Sequence, residues 1–291
     1  NPTYTSTLMC IGSEVIILRV LVLTACVESS TRQMSSASTT GQFSTELTAD
    51  TVAFCPYEGA HNLLACGCYQ LVKEEEPPRR IGRLSLLDAT TGKPLQELQR
   101  IDGPGVLDCA WMPGDGHGGR LLATASSEGG ARFYRLGSSE DGTSELCEEG
   151  AGFVLCEGAG WCMVLDWAST AAVPQVALGS TAGMIHICVA APDGLRCERA
   201  WDAHDLECWA VGWDATSELG LFSGADDGML KRWDLRCDPA DGAAATASNR
   251  KSHSAGVCCV SNSLLRPEVL VTGRCVSGIA RMRPTPPPPT P

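Results

Sequence analysis

Aromatic side chains make up only 5% of this 291-residue chain, and basic ones are outnumbered, 22 Lys and Arg against 34 Asp and Glu, for a net charge of −12. So few cations exclude the continuous basic stripe with which nucleic-acid binders displace phosphate counterions, and a cationic partner suits the surface better. The chain also lacks an apolar run of the roughly 20 residues that a membrane-spanning helix requires. Its most apolar stretch, VIILRVLVLTACV at residues 15–27, is short and holds Arg19, whose burial in lipid costs about 2.5–3.5 kcal/mol. LTAC, ending at Cys26, resembles a lipoprotein cleavage site, yet no basic region precedes the run and Glu14 stands where Lys or Arg belongs. Neither a span nor a targeting signal is expected. Residues 28–45 are rich in Ser and Thr, so the segment 1–45 is expected to be a poorly ordered extension.

Familiar hydrolytic and metal signatures are missing as well. No Gly-x-Ser-x-Gly elbow occurs; GSTAG at 179–183 has its Ser180 in the second place, not the third. Cys66 and Cys68 fall on one strand face without the CxxC spacing or histidine partners of a zinc site, so core packing is the better account of them. No metal and no other cofactor is expected. Most of the 16 cysteines sit in apolar, strand-like runs, including Cys55, Cys109, Cys162, Cys188 and Cys258, and read as reduced, small core residues.

What is abundant is glycine, 31 residues, in a chain that is 44% hydrophobic and able to bury a substantial core. Glycine supplies the positive φ of tight turns, so many short strands, and an all-β class, are expected. A phrase then repeats. A first strand recurs as TVAFCP (51–56), VLDCAWMP (106–113), CMVLDWAS (162–169), CWAVGWDA (208–215) and GVCCVSNS (256–263), with landmarks Phe54, Trp111, Trp167, Trp213 and Val260. A second follows about a dozen residues later as NLLACG (62–67), RLLATA (120–125), QVALGS (175–180), LGLFSG (219–224) and EVLVTG (268–273). Third strands follow as RLSLLD (83–88), ARFYRL (131–136), MIHICV (184–189) and LKRWD (230–234).

The landmarks fall 57, 56, 46 and 47 residues apart, and repeats with this wording resemble WD repeats, the four-stranded blades of a β-propeller, with extra length placed in loops such as VKEEEPPRR (72–80). The fold expected from the resemblance is a WD40-type β-propeller over residues 46–273, with about four and a half blades, incomplete relative to a seven-bladed ring, and a Pro-rich tail over 274–291. The fourth repeat carries the signature most fully. His204, Ser223, Asp227 and Trp233 match the positions that form a buried polar network in WD blades, which implies a structural role for all four. The fifth repeat starts with His253 and reaches Thr272 and Gly273, then gives RCVSGIARMRP in place of the turn Asp and strand Trp.

More specific wording surrounds the repeats. ELTADTVAFCP (46–56), LLACGCYQL (63–71), GRLSLL (82–87), LDCAW (107–111), LDW (165–167), AHDLECW (203–209), FSGADDGMLKRWD (222–234) and HSAGVC (253–258) occur in the same order as in the diphthine methylesterase family, which they resemble. Members, also called diphthine methyltransferases, are WD-repeat proteins of diphthamide biosynthesis. The resemblance implies a cytoplasmic carboxylic ester hydrolase that removes the methyl ester of methylated diphthine on translation elongation factor 2, its protein substrate and partner alongside other proteins of that pathway. Residues after Gly273 and the first 44 depart from the pattern.

Ester hydrolysis needs a base and the substrate carries a trimethylammonium group, so acidic turns and exposed aromatics are the places to look. Glu207, Asp226 and His253 are the catalytic candidates, and Trp209 the substrate-binding one. Each has a plainer alternative: Asp226 as a solvated turn residue, His253 as the counterpart of His204, Trp209 as blade packing. The competing function is a non-enzymatic scaffold that docks protein partners on its rim, the commoner use of this architecture.

Overall fold

The computed structural model describes residues 17–22, 38–73, 78–114, 119–154, 160–169, 173–191, 194–237, 245–263, 266–274 and 279–282. Their secondary structure is β throughout, and no helix occurs among them. β1 (Ile17–Val22) pairs antiparallel with β2 (Ser38–Ser44). Four four-stranded antiparallel sheets follow, each in simple sequence order. They are β3 (Thr48–Phe54), β4 (Leu63–Val72), β5 (Arg79–Asp88) and β6 (Gln96–Pro104); then β7 (Val106–Trp111), β8 (Leu121–Ser126), β9 (Gly130–Ser138) and β10 (Ser144–Val154). Next come β11 (Cys162–Trp167), β12 (Gln175–Ser180), β13 (Met184–Ala191) and β14 (Gly194–Asp202), and then β15 (Cys208–Trp213), β16 (Gly220–Ala225), β17 (Leu230–Asp234) and β18 (Ala247–Asn249). A three-stranded sheet of β19 (Val257–Asn262), β20 (Leu270–Arg274) and β21 (Ile279–Met282) completes the series, which is the WD40-type β-propeller class.

The chain divides into two compact units, Asn1–Ser127 with Tyr134–Glu148, and Glu128–Phe133 with Glu149–Pro291. In the first, Leu63, Ala65, Leu84, Leu86, Val106, Trp111 and Leu122 share one core. The Tyr57 ring meets Trp111 edge-on, centroids 5.8 Å apart, and its hydroxyl donates to the carbonyls of Met112 and Leu121 at 2.9 and 3.1 Å. In the second, Ile185, Trp201, Trp213, Leu221 and Trp233 form the corresponding core.

Sequence explains these strands through burial on two faces. β8 (LLATAS) and β16 (GLFSGA) are buried at every position, so they read as unbroken apolar and small residues instead of alternating ones. Glycine in the second strand lets neighbouring sheets approach: a Cβ at Gly67 would meet Val106 Cγ1 at 2.5 Å, one at Gly179 would meet Cys208 Sγ at 2.8 Å, and one at Gly224 would meet Val257 Cγ1 at 2.5 Å. Each of these contacts is with the first residue of the next sheet's first strand.

Two expectations shift. The Ser/Thr-rich segment contributes β2, which pairs with β1, and Phe43 within it packs against the cluster of Leu64 and Leu87, because Thr and Phe suit a strand that can bury one face. The fifth sheet also runs past Gly273, with β21 pairing back on β20. The rest of the Pro-rich tail, the apolar residues on either side of β1 and residues 74–77 of the VKEEEPPRR loop lie outside the described residues.

One landmark needs correction. Trp213 ends its strand opposite Leu221, which pairs with Trp233; in the fifth sheet Asn262 ends the strand opposite Leu270, which pairs with Met282. Asn262, not Val260, is the counterpart of Trp213. Reading for hydrophobicity selected the wrong residue because a polar one had taken over the position.

Candidate functional site

The polar network of the fourth sheet is complete. The Trp233 indole donates to Ser223 Oγ at 2.8 Å, Ser223 lies 2.7 Å from His204 Nε2, and His204 Nδ1 lies 2.9 Å from Asp227 Oδ2. Burial pushes the His204 pKa down, against the opposing pull of Asp227, so the ring is neutral. Only one direction of donation then satisfies every atom: Trp233 N–H to Ser223, Ser223 O–H to His204 Nε2, His204 Nδ1–H to Asp227. The other Asp227 oxygen accepts the backbone N–H of Met229 at 2.8 Å and holds the turn between β16 and β17. His204 is buried and saturated with partners, as its structural role requires.

The same end of this sheet carries the exposed groups. Asp226 N–H donates to the Glu207 carbonyl at 3.0 Å, tying the β16–β17 turn to the entry of β15. Between Cys208 and Ala210 the register with β16 slips, leaving Trp209 as a bulge residue. A bulge turns a side chain out of the ladder. Trp209 is 39% exposed while its neighbours Cys208 and Ala210 are buried, and Leu206 beside it is 49% exposed. Asp205 and Asp226, in the segments flanking β15 and β16, and Asp202 at the end of β14 are exposed, and Glu207 is half-buried. Glu207, Trp209 and Asp226 are thus brought together.

His253 is not presented with them. Its ring is 5% exposed, Nε2 lies 3.0 Å from Thr272 Oγ1, and Nδ1 has no hydrogen-bond partner. Burial and the Arg274 cation lower its pKa. It repeats the position of His204, but the residue four after Thr272, where Asp227 follows Ser223, is Val276, and Met282 holds the register of Trp233. Its loop still bears on the site, because a side chain at Gly256 would collide with the Asp226 carboxylate.

The bulge recurs at one point of every first strand: Asp50, Leu107, Met163, Trp209 and Cys258. Each lies four residues before the end of its strand. Asp50 is the residue that sequence reasoning missed. Burial, with no relief from a charge or hydrogen bond, raises its pKa from 3.8 to about 6. Counting back four from Phe54, as Trp209 counts back from Trp213, finds it. Cys258 is disulfide-bonded, which corrects the reading of it as reduced; its bulge position takes it out of the packing that buries Cys208 completely. Cys66 and Cys68 lie 3.9 Å apart, and the hydrogen bond to Cys68 with burial pushes Cys66 up. Among the described residues no three His, Cys, Asp or Glu side chains are grouped to hold a metal ion.

No family model matches the chain. Diphthine methyltransferase of Homo sapiens is 33% identical over 258 residues, covering 79% of this chain and 55% of its own length. That of Mus musculus is 32% identical over 250 residues, covering 79% and 50%. The chain therefore spans about half the length of these relatives. Among solved structures, Chaetomium thermophilum Sqt1 superimposes with a TM-score of 0.63 at 18% identity, over 82% of this chain and 59% of that one. Sqt1 bound to the N-terminus of the ribosomal protein L10 gives the same TM-score at 17% identity, over 82% and 61%. At such identity the likeness shows the propeller fold alone. Through the residues it shares with the human and mouse proteins, the chain belongs to the diphthine methyltransferase family.

Proposed function

We propose that this chain acts in diphthamide biosynthesis by hydrolysing the methyl ester of methylated diphthine on translation elongation factor 2, and that the exposed end of the fourth sheet receives the substrate. The observation that carries the reading is Trp209: a bulge holds its indole in solvent, 39% exposed, two residues from Glu207, whose carbonyl is bonded to the Asp226 backbone N–H. An exposed aromatic face on a segment rich in carboxylates suits a trimethylammonium group, since cation–π attraction adds about 0.5–2 kcal/mol to the Coulomb term. The net charge of −12 steers such a cation toward it.

In the reaction, a carboxylate of Glu207 or Asp226 takes a proton from water as its oxygen attacks the ester carbon. The tetrahedral intermediate expels methoxide, which regains the proton and leaves as methanol, and diphthine remains as the acid. The backbone bond between the two residues fixes their spacing, while His253, bound to Thr272, supports the loop under Asp226. The family name printed for the relatives supports a role in this pathway.

The test incubates the protein with methyl-esterified elongation factor 2 and follows the modified histidine by mass spectrometry. Loss of one methylene's mass from that residue, with methanol released in equal amount, is the expected result. An unchanged mass beside stable binding of the factor favours a scaffold that docks protein partners on the same exposed surface.

A further inference from the structure

The third four-stranded sheet contains a group of thiols that the esterase reading does not use. Cys188 on β13 lies directly opposite Cys197 on β14, so both side chains stand on one face, and His186, two residues before Cys188, stands on that face too. Residues directly opposite in an antiparallel pair have Cα atoms about 4.5–5.5 Å apart, within the range of about 4.4–6.8 Å that a disulfide spans. Both cysteines are free thiols. Cys188 is completely buried; Cys197, on the outer strand, is partly open to solvent and hydrogen-bonded by both Cys188 and His186.

We propose that Cys197 is a reactive thiol, primed by His186, and that with Cys188 as its resolving partner it forms a disulfide when the protein meets a peroxide. The Cys197 sulfur attacks one peroxide oxygen; the O–O bond breaks, water leaves, and the sulfur becomes a sulfenic acid. The Cys188 sulfur then attacks it, the S–O bond breaks, and a second water carries away the hydroxyl with the Cys188 proton. Two thiols are oxidised and one peroxide is reduced to two waters.

The electrostatics agree with this division of labour. The hydrogen bond from Cys188 and then that from His186 hold Cys197 below its ordinary value against the penalty of burial, while the same bond and burial push Cys188 up. Cys162 and Glu198 also act on the pair, and both raise Cys188. In its neutral form the Cys197 S–H has the Arg199 carbonyl 3.3 Å away. The outer thiol is therefore the attacking one and the inner, poorly ionised thiol the resolving one.

Cys147, Cys237 and Cys259 are exposed thiols in the same molecule and act as internal controls. The native chain is treated with one equivalent of hydrogen peroxide, capped with iodoacetamide, digested without reductant and mapped by mass spectrometry. A Cys188–Cys197 linked peptide should dominate, and Cys197 should alkylate at least about tenfold faster than the exposed controls near neutral pH. Cys188→Ser should leave a sulfenic acid on Cys197 that dimedone captures. Equal labelling of Cys197 and the exposed cysteines, or oxidation appearing first at Cys147, Cys237 or Cys259, would overturn the proposal.

Discussion

The indole N–H of Trp213 leaves its own sheet and donates to the backbone carbonyl of Asp166 in the preceding one, 3.0 Å away, while the Asp166 carboxylate accepts the Trp213 backbone N–H at 2.8 Å. The first unit repeats the indole bond, with Trp111 Nε1 donating to the Ala53 carbonyl at 3.0 Å. In the fifth sheet Asn262 replaces the indole, its amide donating to the Trp213 carbonyl at 2.5 Å. Trp111 and Trp213 are thus polar clasps between consecutive sheets as well as core residues. Trp213→Phe keeps the ring and removes the clasp, and should cost about 1–2 kcal/mol. Trp213→Ala, which also opens a cavity, should cost about 3–5 kcal/mol. Denaturant titration of both variants measures the difference, and a Trp213→Phe variant as stable as the parent would show that packing alone holds the position.

Ser223 stands in the middle of the polar relay, so Ser223→Ala deprives His204 Nε2 and Trp233 Nε1 of partners at once. A loss of about 2–4 kcal/mol is expected in urea unfolding, because two buried polar atoms are left unsatisfied. Ester hydrolysis per folded molecule should be unchanged. A specific loss of turnover in folded protein would move the relay from scaffold to chemistry.

Asp50 and His204 give stability opposite dependences on pH. The folded Asp50 titrates at about 6 against an ordinary 3.8, so between those values the folded chain holds a proton that the unfolded chain has released. Stability falls as pH rises through that window, and the cost is complete above about 6. Asp50→Asn should therefore stabilise the protein by about 1–2 kcal/mol at neutral pH, a gain limited by the partial exposure of the group, and by nothing measurable below 3.8. His204, depressed below 6.5, contributes stability that is whole above that value and lost as pH falls through its folded pKa. Thermal unfolding of both proteins from pH 3 to 8 separates the two effects.

Trp209 is exposed and outside the core, so Trp209→Ala should leave the melting temperature within about 1–2 °C of the parent. It should weaken substrate binding by roughly tenfold, the cation–π share, and appear in KM more than in kcat. Trp209→Phe should recover part of the loss. A melting point lowered in step with activity would make the residue a packing element.

The inner three strands of the first four repeats were legible because burial on both faces writes itself as runs such as LLATAS and QVALGS. The outer strands were not. β6, QELQRIDGP, has no fully buried position, and β18 is three residues long, so neither leaves an apolar pattern to read. The relay of His204, Ser223, Asp227 and Trp233 was visible because its spacing is set by a turn of fixed length. The bulge was invisible, since an extra residue in a strand shows only against the register of its partner. That is why Trp209 could be chosen for its chemistry while Asp50, at the same position of another sheet, passed unnoticed.

The central claim is that carboxylates at the exposed end of the fourth sheet hydrolyse a methyl ester held by Trp209. Its most direct test is methanol release from methyl-esterified elongation factor 2 by the wild-type chain and by the Glu207→Gln, Asp226→Asn double variant, each shown to be folded by its melting temperature. The account predicts turnover by the wild type and a fall in kcat of at least about a hundredfold in the double variant, the scale of a lost general base. Equal turnover by the two proteins would contradict it.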